Sequence, residues 1–262
     1  MILPSAALIA AAGLREAASP WLAPYREAAQ RIAGCVRPNT PLADTLNAAL
    51  SLQPAVRLQS GLLRFVPQAA LPADEAYEAF IARSASVPTR DNLHDLFNGL
   101  VWLRFPQLKR RLNELQAQQL REDGVNSTRG AVRDALTLFD ENAALWQAPA
   151  VLVEALRQRD WRALFITHRA AWRHARLTLF GHALMEKLTQ PRKAITAHVW
   201  VVPDAADVQA HLIDTLTPER LAGKPHLPLP VLGVPGWWPA NEAPGFYDDA
   251  AVFRTLARTR GG

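Results

Sequence analysis

A polar stripe in "PTRDNLHDLFNGLVWLRFP" is the first feature of the sequence whose side chains can do chemistry. At helical spacing, His94, Asn98 and Trp102 follow one another at i, i+4 and i+8 along the edge of an apolar face. A histidine at such an edge is either a hydrogen-bonded structural residue or a group that faces a cavity. In the second interpretation His94 acts as a base, Asn98 positions a substrate and Trp102 contacts it.

An acidic group lies in "RGAVRDALTLFDENAALW". Asp134, Asp140 and Glu141 can bind a hard cation or supply a base, and the neighbouring Arg133 is a candidate ligand-binding residue. The alternative is a solvated turn, or ion pairs with nearby arginines. A helix that ends near Asn142 is favoured over a hairpin that turns at the same place.

A third motif, "FGHALMEKL", places His182 and Glu186 one helical turn apart. Histidine and glutamate at i and i+4 can ligate one metal ion. They can equally form an exposed pair of small energetic value. The zinc-protease pattern His-Glu-x-x-His is absent from the sequence, so the pair alone does not identify a metal site.

If the helices that carry these three motifs pack side by side, their polar residues line one cavity. Two histidines among carboxylates suit a divalent metal that activates water, which predicts a hydrolase. Without a metal, the same groups can run acid-base chemistry on a small-molecule ligand. The candidate catalytic residues are His94, Asn98, Asp134 and Glu141, and the candidate metal ligands are His94, Asp134, Asp140, Glu141, His182 and Glu186.

A rival function comes from "RQRDWRALFITHRAAWRHAR". If this segment is one continuous helix, Arg162, Arg169 and Arg173 share nearly one face with Arg176, and tryptophans and histidines are interleaved among them. Such a face can bind nucleic acid or another anion without catalysis. A solvated surface helix has the same pattern, so nucleic acid ranks as the less favoured partner.

Composition excludes several classes of protein. A chain of 262 residues with 49% hydrophobic residues can bury a large core. Its single cysteine, Cys35, cannot form an intrachain disulfide, and the common nucleotide-binding and serine-hydrolase motifs are absent. The net charge of +5 is only a modest hint of an anionic partner. The apolar opening "MILPSAALIAAAG" is too short for a membrane span and lacks a basic start, so we expect a cytoplasmic protein with no membrane partner.

The elements that must position the motifs are mainly helices, and the expected fold class is α+β with a few short strands. The chain is expected to form a single domain over residues 1–262. "VRLQSGLLRFVP" predicts a strand pair that turns at Ser60 and Gly61, and "AITAHVWVVP" predicts a strand. Asp91 is expected to cap the helix that carries His94.

The last segment, residues 217–255, predicts an extended strap packed on the body. It combines many prolines with aromatic residues, and the aromatics can bury a large apolar area. A strap of this kind can cover a pocket. Its candidate ligand-binding residues are Trp237, Trp238, Asn241 and Tyr247.

Taken together, the motifs resemble a known bacterial family. "VPTRDNLHDLFNGLVWLRFPQLKRRLN", "RGAVRDALTLFDENAAL", "FGHALMEKL", "AITAHVW" and "PLPVLGVPGWWPANEAPGFYDDAAVFR" are similar, in this order, to the family catalogued as domain of unknown function 3025. The resemblance spans about residues 55 to 255. It implies a bacterial soluble protein that forms one family unit, and it carries no activity over to this chain.

Overall fold

The computed structural model describes residues 5–15, 19–123, 130–243 and 245–256. As predicted, the fold is α+β and mainly helical, with 56% helix and 13% strand. The α-helices are α1 Ser5–Ala11, α2 Arg26–Cys35, α3 Leu42–Leu50, α4 Tyr77–Ser84, α5 Leu93–Arg104, α6 Pro106–Asp123, α7 Ala131–Asn142, α8 Ala150–Arg157, α9 His182–Lys187, α10 Val208–Thr215 and α11 Pro218–Ala222. The strands are β1 Arg57–Leu58, β2 Gly61–Leu62, β3 Arg64–Pro67, β4 Ser86–Thr89, β5 Ala143–Gln147, β6 Arg176–Leu179, β7 Thr196–Val201 and β8 Leu227–Pro230.

A four-stranded sheet with the order β6-β5-β7-β8 forms one part of the core. Strand β5 pairs parallel with β7 and antiparallel with β6, while β8, whose sequence is LPLP, pairs antiparallel with β7 at one edge. Every residue of β5 is buried, as expected for a central strand covered on both faces. Helix α7 runs directly into β5, because Asn142 ends the helix and Ala143 begins the strand.

Two sequence predictions of strands are confirmed. β1 and β2 form the expected antiparallel pair around Ser60 and Gly61. β7 lies within "AITAHVWVVP". The helix predicted to end near Asn142 is also confirmed, and the alternative hairpin does not form.

Helix α5 is held at the centre of the helical part by its apolar face and by a close approach to α3. Leu96 and Leu100 are buried in the core. A Cβ atom at Gly99 would lie 2.5 Å from the end of the Leu46 side chain on α3, so glycine lets the two helices approach closely without moving this leucine. α9 packs on both α5 and α7, and α6 packs on α7. This packing brings the three polar motifs of the sequence to one place.

The residue that caps α5 is Asn92, so the prediction that Asp91 caps this helix is wrong. Asn92 Oδ1 accepts a hydrogen bond from the main-chain N–H of Asp95 at 2.8 Å. The carboxylate of Asp91 instead accepts from the N–H of Leu42, the first residue of α3, at 2.6 Å. Asp91 therefore joins the starts of two helices rather than ending one.

The arginine-rich segment is not one continuous helix. Helix α8 ends at Arg157, a π-helical turn covers Ala163–Thr167, and a 3-10 helix covers Arg169–His174. The condition for a continuous basic face is therefore not met. The guanidinium of Arg169 is also occupied, since it pairs with Glu242 and donates to the Tyr247 hydroxyl at 3.2 Å.

The C-terminal strap, residues 217–255, is fixed to the body by polar and aromatic contacts. Within the strap, Asn241 is buried, and its amide donates to the carbonyls of Leu232 at 2.9 Å and Val234 at 2.8 Å, so these bonds fold the strap on itself. The ring of Tyr247 stacks on Phe165 with centroids 5.0 Å apart. No helix among the described residues has the length and apolarity needed to cross a membrane.

Candidate metal centre

Three helices bring two imidazoles and a carboxylate together. His94 lies in the first turn of α5, Glu141 in the last turn of α7, and His182 is the first residue of α9. His182 Nε2 is 3.0 Å from His94 Nε2 and 3.4 Å from Glu141 Oε2. One ligand atom from each residue lies within 4.8 Å of the other two. We call these three residues the His-Glu-His cluster.

A glycine allows His182 to lie beside Glu141. A Cβ atom at Gly181 would be 2.4 Å from the Asn142 nitrogen and 2.5 Å from the Glu141 carbonyl oxygen. The Gly181 N–H also donates to the carbonyl of Ala143 at 2.9 Å. The start of α9 is therefore placed directly against the end of α7, and no larger residue fits between them.

Glu186 orients the His94 ring from the side opposite the cluster. Its Oε2 lies 3.0 Å from His94 Nδ1, one helical turn after His182 on α9. A carboxylate here makes Nδ1 the protonated nitrogen, so the lone pair of Nε2 points toward His182. In metalloproteins, a carboxylate commonly accepts a hydrogen bond in the same way from the second ring nitrogen of a metal-bound histidine.

His182 is buried, and its imidazole is uncharged at neutral pH. Burial lowers the pKa of its imidazole to about 4, although the negative charge of Asp140 acts in the opposite direction. Its Nδ1 is buried and has no hydrogen-bond partner in the described part of the chain. A neutral imidazole has one N–H group and one lone pair; with the proton on Nδ1, the lone pair of Nε2 points toward His94 and Glu141.

Two of the three separations in the cluster are close to those between zinc ligands, and both are also hydrogen-bond or ion-pair distances. Zinc bonds of about 2.0–2.1 Å at tetrahedral angles separate two ligand atoms by roughly 3.3 Å. The observed separations of 3.0 and 3.4 Å lie on either side of this value. A zinc ion held by three protein ligands keeps one coordination position for water, as in catalytic rather than structural zinc sites.

A cleft of about 250 Å³ opens beside the cluster. Glu141 belongs to both, since it lines the cleft and lies 3.4 Å from His182. Burial raises the pKa of the Glu141 carboxyl, and the nearby charge of Asp140 raises it further. The cleft is lined by Ala76, Tyr77, Glu78, Gln116, Leu120, Arg133, Thr137, Asp140 and Glu141.

The carboxylate of Asp140 is bound to a buried lysine. Lys109 Nζ lies 2.6 Å from Asp140 Oδ1, and both side chains are almost completely buried. Burial opposes the ionisation of Asp140, but the charge of Lys109 keeps the pKa of the carboxyl below its ordinary value. Asp140 therefore stays ionised and is paired with Lys109, outside the His-Glu-His cluster.

The structure brings together four of the six metal ligands that the sequence suggested: His94, Glu141 and His182, with Glu186 behind them. Asp134 is exposed and lies outside the cluster, while Asp140 lies on Lys109.

The other candidate residues lie in three different places. Arg133 lines the cleft, as a ligand-binding residue must. Trp102 is buried in the core, and the amide of Asn98 donates to the Tyr77 hydroxyl at 3.1 Å, behind the cleft wall. In the strap, Trp237 packs on Trp21 and Tyr247 on Phe165 of the body, while Asn241 and Trp238 contact other strap residues.

Sequence reasoning missed Tyr77, Glu78 and Lys109. Lys109 could have been found, because it follows Leu108 and precedes Leu112 on the apolar side of a helix, where a charge needs a partner. Tyr77 and Glu78 begin α4, and no pattern in that short helix indicates a cleft.

Glu78 gives a testable dependence of stability on pH. Burial and the nearby Asp140 raise the pKa of its carboxyl from 4.5 to about 7. The folded protein thus binds more protons than the unfolded chain between these values, and stability falls as the pH rises through them. We expect Glu78→Gln to raise the free energy of unfolding by about 1–3 kcal/mol at pH 8 and not at pH 4.5.

Urea unfolding of the variant and the wild type at both pH values checks this expectation. Gln can still accept the 2.7 Å hydrogen bond that Asn113 donates to Glu78. Glu219→Gln is the control. Hydrogen bonds from its own backbone and from Thr217 lower the pKa of that carboxyl, so this substitution should lower rather than raise the stability at pH 8. An equal effect of Glu78→Gln at pH 4.5 and pH 8 would contradict the prediction.

Comparison with known proteins places the chain in one family. A protein-family model described as "Protein of unknown function (DUF3025)" matches residues 63–257. This match confirms the resemblance seen in the sequence motifs, and it includes the whole His-Glu-His cluster and Glu186. No curated protein and no solved structure matches the chain.

Proposed function

The chain belongs to the DUF3025 family, whose description assigns no activity, and from the side-chain geometry we propose that it is a metal-dependent hydrolase. The ion is held by His94, Glu141 and His182, and the substrate binds in the adjacent cleft. The observation that carries the proposal is the convergence of two imidazole Nε2 atoms and one carboxylate oxygen from three different helices.

Each residue of the site has a chemical task in this proposal. His182 is neutral and binds the ion through Nε2, while Glu186 keeps the His94 lone pair directed at the same point. The bound ion lowers the pKa of a water molecule, so that a nucleophile is available near neutral pH.

Glu78 lines the same cleft and is the candidate general base. Its raised pKa of about 7 suits a group that accepts and returns a proton at neutral pH. Asn113 holds the carboxylate through a 2.7 Å hydrogen bond from its side-chain amide.

Zinc binding is the direct test. Tag-free protein is treated with a chelator, the chelator is removed, and zinc is titrated against a chromogenic competitor. We expect one zinc ion per chain, and an affinity at least about 100-fold lower in the His94→Ala, His182→Ala double variant. The matched control is His168→Ala with His174→Ala, which removes two histidines outside the cluster.

Circular dichroism establishes that the variants remain folded. Zinc-loaded protein is then assayed with chromogenic esters, anilides and phosphoesters. Turnover that requires both zinc and the two histidines supports the hydrolase. Equal zinc binding by wild type and double variant would refute the site. Zinc binding without turnover of any compound would support a metal site and contradict the hydrolase.

A further inference from the structure

One wall of the cleft carries a positive charge at a fixed distance from the His-Glu-His cluster. Arg133, Thr137 and Glu141 follow one another at i, i+4 and i+8 on α7, and all three line the cleft. Eight residues of α-helix advance by about 12 Å along the axis. The guanidinium therefore lies along the cleft, up to two helical turns from the carboxylate of the cluster.

None of the residues that the structure describes neutralises Arg133. Its Nη1 atom is buried and has no hydrogen-bond partner among the residues that the structure describes. It also forms no ion pair with a described carboxylate. The half-buried side chain of Arg133 lines the cleft, so a carboxylate or phosphate group in the cleft can accept charge-assisted hydrogen bonds from the accessible part of the guanidinium.

The acidic residues of the cleft do not exclude an anion. Asp140 is compensated by Lys109 at 2.6 Å. The pKa of Glu78 is raised to about 7, so this side chain is largely uncharged below that pH and can donate a hydrogen bond. Glu141 is compensated when the cluster holds a cation. The positive charge of Arg133 then remains for the ligand.

We propose that the cleft binds a substrate through a carboxylate or phosphate group on Arg133, with the bond to be cleaved beside Glu141. This inference rests on the proposed hydrolase and names its substrate class. Eight residues of α-helix separate Arg133 from Glu141, so the anionic group lies up to about 12 Å from the bond that is cleaved. Compounds with a short apolar or polar spacer between the two groups fit this length.

Calorimetric titration with simple anions tests the Arg133 site separately from the metal. Glutarate and inorganic phosphate are the probes, pentane-1,5-diol is the neutral control, and the buffer contains no competing polyanion. Wild type is compared with Arg133→Gln and Arg133→Lys, each in chelator-treated and zinc-loaded form. The matched control is Arg162→Gln, which removes an exposed arginine outside the cleft.

We expect glutarate or phosphate to bind the metal-free wild type, and Arg133→Gln to weaken this binding at least tenfold. Arg133→Lys keeps part of the affinity because it keeps the charge, and Arg162→Gln stays within about twofold of the wild type. Tighter binding of glutarate identifies a carboxylate ligand, while tighter binding of phosphate identifies a phosphate ligand. Zinc should strengthen binding, since it removes the negative charge of Glu141 from the cleft.

The inference fails if neither anion binds the metal-free protein, if Arg133→Gln binds as the wild type does, or if the diol binds equally well. Because the metal-free arm does not depend on zinc, this failure is distinct from failure of the zinc titration. If the protein binds anions through Arg133 but binds no zinc, the proposed anion site stands and the proposed hydrolase is refuted.

Discussion

Lys109→Met is expected to lower the free energy of unfolding by about 3–5 kcal/mol, because it leaves the Asp140 carboxylate buried without its partner. The ammonium and carboxylate groups are 2.6 Å apart, and neither side chain is accessible enough for water to replace the other. Lys109 also lies over the ring of Trp102, with Nζ 5.4 Å from the centroid, so a second interaction of the cation is lost. Urea unfolding at pH 7 measures the loss.

The double variant Lys109→Met, Asp140→Leu distinguishes the loss of the ion pair from the cost of leaving one buried charge unpaired. Replacing both partners by apolar residues removes the buried carboxylate, so most of the lost stability should return. Arg83→Met is the surface control, because the Arg83–Glu75 pair is exposed and its loss should leave the unfolding midpoint nearly unchanged. If the single and double variants lose the same stability, the buried pair does not account for the effect.

Gly181→Ala is expected to cost about 3 kcal/mol of stability and to reduce the affinity for zinc about 10- to 100-fold. The added methyl group would meet the Asn142 nitrogen at 2.4 Å and the Glu141 carbonyl oxygen at 2.5 Å. Both are main-chain atoms, so the clash can be relieved only by separating α9 from the end of α7. That movement draws His182 away from Glu141.

Gly34→Ala is the matched control for this substitution. Gly34 lies in α2, and an added Cβ would have no neighbour within 4 Å. Alanine is a better helix former than glycine, so this variant should be as stable as the wild type or slightly more stable. Calorimetric melting and the zinc titration are measured on both variants. Wild-type zinc affinity in Gly181→Ala would mean that the close contact does not position the cluster.

Helical periodicity placed the polar residues of each motif on one helix face, but it did not decide whether the three faces meet or which of their residues touch. His94 and the His182–Glu186 pair were placed on helix faces by spacing alone, and α5 and α9 do pack together there. The acidic stripe of α7 extends over two turns, and only its last turn reaches the cluster. Spacing shows that Asp134 and Glu141 share a stripe, whereas tertiary packing decides that Glu141 lies at the site.

The wrong or missing predictions have local or long-range causes that helical periodicity cannot show. The arginine-rich segment has helical spacing, yet the chain there adopts a π-helical turn, and Asp160 accepts a hydrogen bond from the Ala163 N–H at 2.9 Å. Asp91 bonds to Leu42, which is 49 residues away in sequence. Lys109 meets Asp140 across 31 residues, and that partnership exists only after α6 packs on α7.

The LPLP sequence of β8 also affects how the protein behaves at high concentration. β8 pairs with β7 on one side and forms an edge of the four-stranded sheet. Alternate residues of an edge strand direct their N–H groups away from the sheet. The Val231 N–H points toward Ile195 on the β7 side, so Pro228 and Pro230 occupy the outward positions, and a proline has no N–H to offer a second polypeptide. Edges of this composition are poor templates for aggregation, so the two prolines protect the sheet from pairing with another chain.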